Sequence, residues 1–418
     1  MKERYYLAID LKSFYASVEC VDRGLDVMTA KLVVADPERK QGTICLAISP
    51  AMKALGIKNR CRVFEIPKGI DYIMAPPRMN RYIQVSALIY EIYLSFVDKA
   101  DVHVYSIDEA FLDVTTYLSL YNQTPKELAQ TILGAIYQRT KLRATCGIGT
   151  NMYLAKIALD IMAKHAPDFM AELDEESYKK HLWKHRPLTD FWRIGSGTAR
   201  HLQSLGLLTQ EDIAKAPPKL LLKEFGAQSE YLIDHAWGRE PCTISEIKNY
   251  RQKSHSLSSG QVLMRDYTFD EGLIILKEMA NQLALDMVNA QVVSNNISLY
   301  VGYSFDTMPA TGGSLTLPVT TNSIRIITAG FVELYNHHVQ RDGLIRRLNL
   351  SANSIVDDNF EQYSFFVDPQ IMEKDRHISQ SVNALKEKYG KNAVLKGMDL
   401  QDAATTIERN NQVGGHKA

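Results

Sequence analysis

The first 165 residues alternate between short apolar runs and segments whose apolar residues recur every three to four positions. Short apolar runs predict buried strands, and the longer periodicity predicts helices that bury one face. The predicted strands are Tyr5–Ile9, Lys31–Ala35, Ile44–Ile48, Val102–Ile107, Ala110–Val114 and Ala144–Ile148, and the predicted helices are Ser13–Val21, Pro50–Leu55, Arg81–Val97, Pro125–Leu142 and Asn151–Lys164. This order predicts an α+β domain with an antiparallel or mixed sheet and helices on one face.

The pattern changes after Pro167. Short helical segments broken by glycine and proline occupy Leu182–Gly238, and the polar, basic stretch Ile247–Ser259 predicts a linker. A second strand and helix pattern follows over Gln261–Ile355, with helices at Phe269–Asn289 and Ser323–His338 and strands at Asn296–Tyr303 and Leu344–Ala352. Beyond Asp357 the chain is first acidic and then predicts one helix at Arg376–Tyr389.

Length and charge restrict the possible functions. A chain of 418 residues predicts several domains, because single cores rarely grow past about 300 residues. Lysine and arginine total 48, and aspartate and glutamate also total 48. Any nucleic-acid binding must therefore use local basic clusters rather than an overall positive field.

The cysteines and the apolar runs indicate a cellular compartment. The five cysteines have no CxxC spacing, which disfavours a zinc site and a disulfide framework. The first residues lack the apolar run of a signal peptide, and no stretch approaches the roughly 20 apolar residues of a membrane helix. We therefore expect a protein of the reducing cytoplasm.

Three carboxylates stand at predicted strand ends. Asp10 ends the first strand, and Asp108 with Glu109 separates two strands that predict a tight hairpin. If these strands are neighbours, the three carboxylates converge, and clustered carboxylates favour hard divalent cations such as Mg²⁺. The alternative is ordinary solvated turn chemistry, and spacing alone favours that alternative.

Longer motifs around these residues resemble those of the Y-family (DinB/UmuC-type) translesion DNA polymerases, most of all the UmuC-like branch. The segments are Asp10–Glu19, Tyr105–Asp113 and Cys146–Lys156, in the expected order and at the expected separations. The resemblance covers about residues 1–240 well and about 250–355 by pattern only. It implies template-directed, low-fidelity copying of damaged DNA, with a role in the SOS response and mutagenesis.

The resemblance also implies a right-hand architecture. The palm would be residues 1–10 and 79–165, the fingers 11–78, and the thumb 166–238 with a helix-hairpin-helix. A linker at 239–259 would lead to an α/β little finger at 260–355 and a tail at 356–418. In this architecture Asp10, Asp108 and Glu109 would hold two Mg²⁺ ions, helped by the backbone carbonyl of Leu11.

Four residues are candidates for binding the incoming nucleotide. Tyr15 matches the family's steric gate against ribose, and Phe14 beside it is a further candidate for which core packing is the favoured interpretation. Lys156 matches a triphosphate contact, against the alternative of a surface lysine. Lys53 lies one turn into a predicted helix that Ser49 caps, and helix N-termini attract phosphate. Many relatives have a tyrosine and an arginine here, so this triphosphate contact departs from the family pattern.

DNA and protein partners would use other segments. Gly195 and Gly197 lie in a stretch that resembles a helix-hairpin-helix, whose exposed backbone N–H groups bind phosphate, although a simple turn between helices is the alternative. The candidate basic contacts to the duplex are Lys248, Arg251, Lys253 and Arg346.

The tail holds a candidate partner peptide, formed by Gln362, Tyr363, Phe365 and Phe366. It resembles the peptide by which bacterial polymerases bind the sliding clamp, with aromatic residues in place of leucines. The alternative is that these aromatics pack back on the little finger. The implied partners are primer-template DNA, dNTP, a sliding clamp and an accessory subunit. The alternative function is a catalytically inactive DNA-binding accessory of the damage response.

Overall fold

The structure is a computed structural model that describes residues 4–39, 42–250, 255–304, 308–358 and 369–418. The chain divides into two units, Met1–Arg251 and Gln252–Lys417. Among the described residues, no helix combines the length and the apolar character needed to cross a membrane.

The first unit is built on a mixed sheet. Its strands are β1 (Tyr6–Leu11), β2 (Leu32–Val34), β3 (Ala47–Ile48), β4 (Ile73–Ala75), β5 (Val102–Val104), β6 (Glu109–Asp113), β7 (Ala144–Gly149) and β8 (Met170–Leu173). Within the described residues the main sheet has the order β5-β6-β1-β7-β8, and β3-β2-β4 form a smaller sheet. Strand β1 is central and runs antiparallel to both of its neighbours.

Helices cover this sheet and continue beyond it. They are α1 (Phe14–Asp22), α2 (Pro50–Ala54), α3 (Met79–Leu94), α4 (Tyr117–Tyr121), α5 (Pro125–Thr140), α6 (Met152–Ile157), α7 (Glu175–Leu182), α8 (Ser196–Ser204), α9 (Gln210–Lys215), α10 (Pro218–Phe225), α11 (Gln228–Ala236) and α12 (Ile244–Asn249). Ser49 caps α2 as predicted, because its side chain accepts a hydrogen bond from the Met52 amide with Pro50 at the first helical position.

Two glycines allow α6 to lie directly on β7. A Cβ atom at Gly147 would stand 2.0 Å from the carbonyl oxygen of Ala155, and one at Gly149 would stand 2.2 Å from its amide nitrogen. Only glycine permits such an approach of helix and strand backbones. This close packing places the α6 side chains against the strands that carry the candidate carboxylates.

The structure differs from the sequence-based prediction in the hairpin that carries Asp108 and Glu109 and in α6. The β5–β6 connection is Tyr105–Asp108, and Glu109 belongs to the strand because it pairs with Asp10. The single helix predicted after Asn151 is α6 followed by a π-helical turn at Ala158–Met162 and a 3₁₀ turn at Ala163–His165. Periodicity over so few residues does not distinguish these helix types.

The second unit has an antiparallel sheet with helices on one face. Its elements are β9 (Ser256–Tyr267), α13 (Phe269–Asn289), β10 (Val292–Tyr303), β11 (Thr311–Thr321), α14 (Ile324–His338), β12 (Ile345–Asn353), β13 (Val356–Asp357), α15 (Pro369–Tyr389), α16 (Thr406–Asn410), β14 (Gln412–Val413) and β15 (His416–Lys417). The main sheet has the order β11-β10-β12-β9 among the described residues. Alternate residues of β10 and β12 pack with α13 and α14 to form the core, which fits an antiparallel sheet with one solvated face.

Secondary structure crosses two of the predicted domain boundaries. Strand β8 extends the first sheet past residue 165, where the palm was predicted to end. The predicted linker 239–259 contains α12 and the first residues of β9. The polar alternation of β9 explains this difference, since one face of that strand is exposed along most of its length.

The segment predicted as a tail is folded where it is described. Helix α15 packs against α13 and α14. The buried carboxylate of Glu278 on α13 accepts hydrogen bonds from the amides of Thr405 and Thr406 and from the Thr405 hydroxyl. Residues 369–417 therefore belong to the second unit.

Candidate active site

Strand pairing brings the predicted carboxylates to one end of the sheet. Asp10 and Glu109 are direct partners across β1 and β6. The Leu11 amide donates a 3.0 Å hydrogen bond to the Asp108 carbonyl oxygen, which fixes the neighbouring carboxylate at the same edge. The Asp108 side chain accepts a 2.6 Å hydrogen bond from the Ser106 hydroxyl. Residues nearly 100 positions apart in sequence thus meet because β1 is central.

Two lysines contact these carboxylates. Lys156 on α6 is buried, donates a 2.7 Å hydrogen bond to Glu109 Oε2 and also lies 2.7 Å from Glu109 Oε1. Lys164 lies 2.9 Å from Asp10 Oδ2. Asp160 stands between the lysines, 3.0 Å from Lys156 Nζ and 2.8 Å from Lys164 Nζ. The burial of Lys156 excludes the alternative of an ordinary surface lysine.

Burial and neighbouring charges set the proton affinities of the site. Burial raises the pKa of Asp10, an effect that Lys164 opposes and Asp108 reinforces. Burial likewise raises the pKa of Glu109, with Lys156 opposing and Asp10 reinforcing. Burial lowers the pKa of Lys164, but Asp10 and Asp160 outweigh it, so that its pKa lies above the usual value. The carboxylates are therefore close enough to repel one another, which a bound cation would relieve.

The residues of this site fit a divalent metal in their donor chemistry. Within the described ranges, no three His, Cys, Asp or Glu side chains already surround one point as ligands would. Instead, Asp10 forms an ion pair with Lys164 and Glu109 forms one with Lys156. The Glu109 Oε1 atom is buried and lies 2.7 Å from Lys156 Nζ, but among the described residues no donor forms a hydrogen bond to it. A buried carboxylate oxygen that accepts no hydrogen bond, beside two further carboxylates, is suited to a hard cation.

Aromatic rings line the adjacent start of α1. The Tyr15 ring stacks on the Tyr82 ring at 4.4 Å with an interplanar angle of 16°. Phe14 is only 3% exposed, which agrees with the core-packing interpretation, whereas Tyr15 is half-buried. Burial raises the pKa of Tyr15, and Asp108 reinforces this effect, so the ring lies within electrostatic range of the carboxylates.

Lys53 on α2 lies within electrostatic range of Asp10 and Asp108. Although Lys53 is solvent-exposed, the surrounding protein partly desolvates its ammonium group and lowers its pKa. The charges of Asp10 and Asp108 oppose this shift. Lys53 is carried by a helix only one turn long.

The candidate DNA contacts that are described lie at exposed positions or in ion pairs. Gly195 is the N-cap of α8 and Gly197 lies in its first turn, so this glycine pair begins a helix. Lys248 donates to the carbonyl oxygen of Lys99. Arg346 pairs with Asp266 at 3.7 Å. The candidates Arg251, Lys253, Gln362, Tyr363, Phe365 and Phe366 lie outside the described residues.

Sequence reasoning missed Asp160, Lys164 and Tyr82 as parts of this site. The spacing of Lys156, Asp160 and Lys164 in steps of four could have indicated a row of alternating charge on one helix face. Tyr82 gave no such indication, because its position within α3 resembles ordinary core packing.

Comparisons with known proteins identify the family of this chain. Residues 9–160 match the impB/mucB/samB family, and residues 254–365 match the C-terminal domain of the same family. The chain is 35% identical to UvrX of Bacillus subtilis (strain 168), a protein named for UV-damage repair, over 99% of this chain and 97% of the relative. It is 31% identical to DNA polymerase IV 2 of the same organism, over 100% of this chain and 99% of the relative.

A solved structure has the same fold. It is a Y-family DNA polymerase chimera, Dbh-Dpo4(243-245)-Dbh, with a TM-score of 0.65 and 21% sequence identity, covering 84% of this chain and 99% of that chain. The mixed helix and sheet organisation agrees with the α+β multidomain prediction. With full-length relatives above 30% identity, the chain belongs to the impB/mucB/samB family and is a Y-family translesion DNA polymerase.

Proposed function

We propose that this polymerase joins dNTPs to a primer 3′ end opposite damaged template bases and releases pyrophosphate, using the carboxylates of Asp10, Asp108 and Glu109. The direct pairing of Asp10 with Glu109, beside Asp108, carries this proposal. Relatives named DNA polymerase IV support primer-template DNA and nucleotides as the substrates.

Membership of this family implies dependence on a divalent metal, and we propose Mg²⁺ as that metal. Asp10, Asp108 and Glu109 would hold two ions, together with the backbone carbonyl of Leu11. When bound, the ions lower the pKa of the primer 3′-hydroxyl and offset the charge of the triphosphate. The protein's own contribution is to hold three carboxylates on adjacent strands at fixed spacing.

Other side chains of the site select and orient the nucleotide. The ammonium groups of Lys156 and Lys53 would attract the triphosphate. Tyr15 would lie under the sugar of the incoming nucleotide, with its ring supported by Tyr82. A ribose 2′-hydroxyl would then clash with the Tyr15 ring, which favours deoxynucleotides.

DNA and protein contacts remain part of this proposal. The N-terminus of α8 at Gly195 and Gly197 would bind backbone phosphate. Further phosphate contacts would come from Lys248, Arg251, Lys253 and Arg346. The peptide containing Gln362, Tyr363, Phe365 and Phe366 would bind a sliding clamp, and an accessory subunit is a further proposed partner in the cytoplasmic damage response.

Primer extension tests the proposed chemistry. Protein with Mg²⁺, dNTPs and a primed template that contains an abasic site should extend the primer. The Asp108→Ala substitution should reduce extension by more than about a thousandfold, since metal stabilisation of the reacting charges contributes several kcal/mol. The matched control is Asp71→Ala, at an exposed aspartate of the same unit.

Extension that survives Asp108→Ala would refute the assignment of the site. Binding of primer-template by the wild-type protein without any extension would favour the alternative, a DNA-binding accessory of the damage response.

A further inference from the structure

One acidic side chain holds both lysines of the candidate active site. Asp160 Oδ2 lies 3.0 Å from Lys156 Nζ, and Asp160 Oδ1 lies 2.8 Å from Lys164 Nζ. On their other sides these ammonium groups contact Glu109 and Asp10. Each lysine therefore bridges one proposed metal ligand and Asp160.

An irregular helix produces this arrangement. Lys156 is the penultimate residue of α6, Asp160 is the middle residue of the π-helical turn, and Lys164 lies in the 3₁₀ turn that follows. π-helical turns inside helices are rare and occur often at functional sites. Here the turn aligns three charged side chains along the edge of the sheet where Asp10 and Glu109 stand.

The contacts of the two lysines conflict with metal binding at the same oxygens. An ammonium group 2.9 Å from Asp10 Oδ2 occupies space that a cation at that oxygen would need. A divalent cation would also repel a neighbouring ammonium group, strongly so at a partly buried site. Each lysine must then move to another acceptor, and Asp160 already contacts both of them.

From these contacts we propose that Asp160 is a positioning residue. When divalent cations bind Asp10 and Glu109, Lys164 and Lys156 lose these partners and keep their ion pairs with Asp160. Lys164 is the competitor for Asp10, and Asp160 limits how strongly it competes. This inference rests on the proposed function, because it needs Asp10 and Glu109 to be metal ligands.

The inference predicts that the effects of Asp160 and Lys164 on metal affinity depend on each other. Without Asp160, Lys164 pairs with Asp10 alone and competes more strongly. Removing the Lys164 charge should therefore increase metal affinity more in an Asp160→Asn protein than in the wild-type protein. If the two charges acted on the metal independently, removing the Lys164 charge would increase metal affinity equally in the wild-type and the Asp160→Asn proteins.

The test is a double-mutant cycle of Asp160→Asn and Lys164→Met. Mn²⁺ affinity is measured without DNA, by following the free Mn²⁺ concentration with electron paramagnetic resonance. Asp160→Asn should weaken Mn²⁺ binding on the order of tenfold, the effect of a charge interaction worth one pKa unit. Lys164→Met should strengthen binding, and more so in the Asp160→Asn background. Asp160→Glu, which keeps the charge, should restore most of the affinity.

Matched controls come from an exposed ion pair of the same unit. Lys126 lies 3.2 Å from Asp168, and their side chains are 57% and 46% exposed. Asp168→Asn and Lys126→Met remove the same charges and should leave Mn²⁺ affinity unchanged. Thermal unfolding of each variant shows that the fold is retained.

Additive effects of Asp160→Asn and Lys164→Met, or no effect of either, would overturn the inference while leaving the proposed metal site intact. A wild-type protein that binds no Mn²⁺ would overturn the metal site and the inference together. Loss of primer extension in Asp108→Ala is independent of this cycle, so the two failures can be told apart.

Discussion

At the scale of single residues, a fully buried carboxylate fixes the aromatic side of the site. Glu19 accepts 2.8 Å hydrogen bonds from the Tyr82 hydroxyl and from Arg78 Nε, and it also pairs with Arg23. A buried charge needs such partners, since its desolvation is costly. Because Tyr82 is held through its hydroxyl, its ring is a fixed platform for the Tyr15 ring.

This platform leads to a prediction for sugar selection. Tyr15→Ala should raise the incorporation of ribonucleotides relative to deoxynucleotides by about tenfold or more, because steric clashes in a packed site cost about 1–3 kcal/mol. Tyr15→Phe keeps the ring and should keep the selection. Single-nucleotide insertion with dNTP and rNTP measures the ratio, and an unchanged ratio in Tyr15→Ala would exclude this residue as the gate.

At the scale of elements, local sequence pattern sets the bounds of some helices, whereas long-range contacts set the placement of others. Helix α13 has the bounds predicted for it, because Thr268 and Glu271 form a capping box and a long apolar stripe faces the core. Helix α15 was predicted too short, beginning at Arg376 rather than Pro369. The placement of α16 depends on Glu278, more than 120 residues earlier in the chain.

The contact between Glu278 and α16 predicts a local change in stability. Glu278→Gln replaces an acceptor-only carboxylate with an amide whose NH₂ group faces the donors Thr405 and Thr406. The loss of hydrogen bonds to a charged acceptor should cost about 1.5–3 kcal/mol. Amide hydrogen exchange at Thr405 and Thr406 should quicken accordingly.

The control for this change is Glu333→Gln on the exposed face of α14, which removes one carboxylate charge without loss of a buried acceptor. Equal protection of the Thr405 and Thr406 amides in wild type and Glu278→Gln would contradict the proposed anchoring of α16.

At the scale of the whole molecule, zero net charge leaves DNA binding to particular surfaces. The open face of the second unit's sheet is rich in small polar residues, with Asn296 opposite Asn353 and Ser298 opposite Ser351. Arg347 is an exposed cation on this face, with its guanidinium 5.8 Å from the Tyr300 ring. A surface of this kind offers many hydrogen bonds to DNA and little charge.

This composition predicts a shallow dependence of DNA affinity on salt. If Arg347 contacts one phosphate, Arg347→Ala should reduce the slope of log K against log salt concentration by about 0.9. Arg325 lies exposed on α14, a helix that covers the opposite face, and Arg325→Ala should leave the slope unchanged. Fluorescence anisotropy of primer-template binding at several salt concentrations measures both slopes, and equal slopes in all three proteins would show that this face does not bind phosphate.

The sequence by itself determined the local parts of this protein. Apolar pattern located the strand that carries Asp10 and the α13 helix, and the Ser49 cap with Pro50 located α2, because these features depend on residues a few positions apart. The motifs around Asp10, Asp108 and Lys156 were sufficient to indicate the family. The conformations predicted least well were those that local pattern does not encode, such as the π-helical turn at Ala158–Met162 and the folded C-terminal segment.

Only the tertiary structure decided which charged groups meet. Sheet order placed Asp10 opposite Glu109, and the glycines of β7 allowed α6 to bring Lys156 against the same edge. The roles of Asp160, Lys164 and Glu278 arise from contacts between elements, which no pattern within one element encodes. Pairings of this kind depend on the free energy of the whole fold, in which the cost of burying each charge is offset by a partner from elsewhere in the chain.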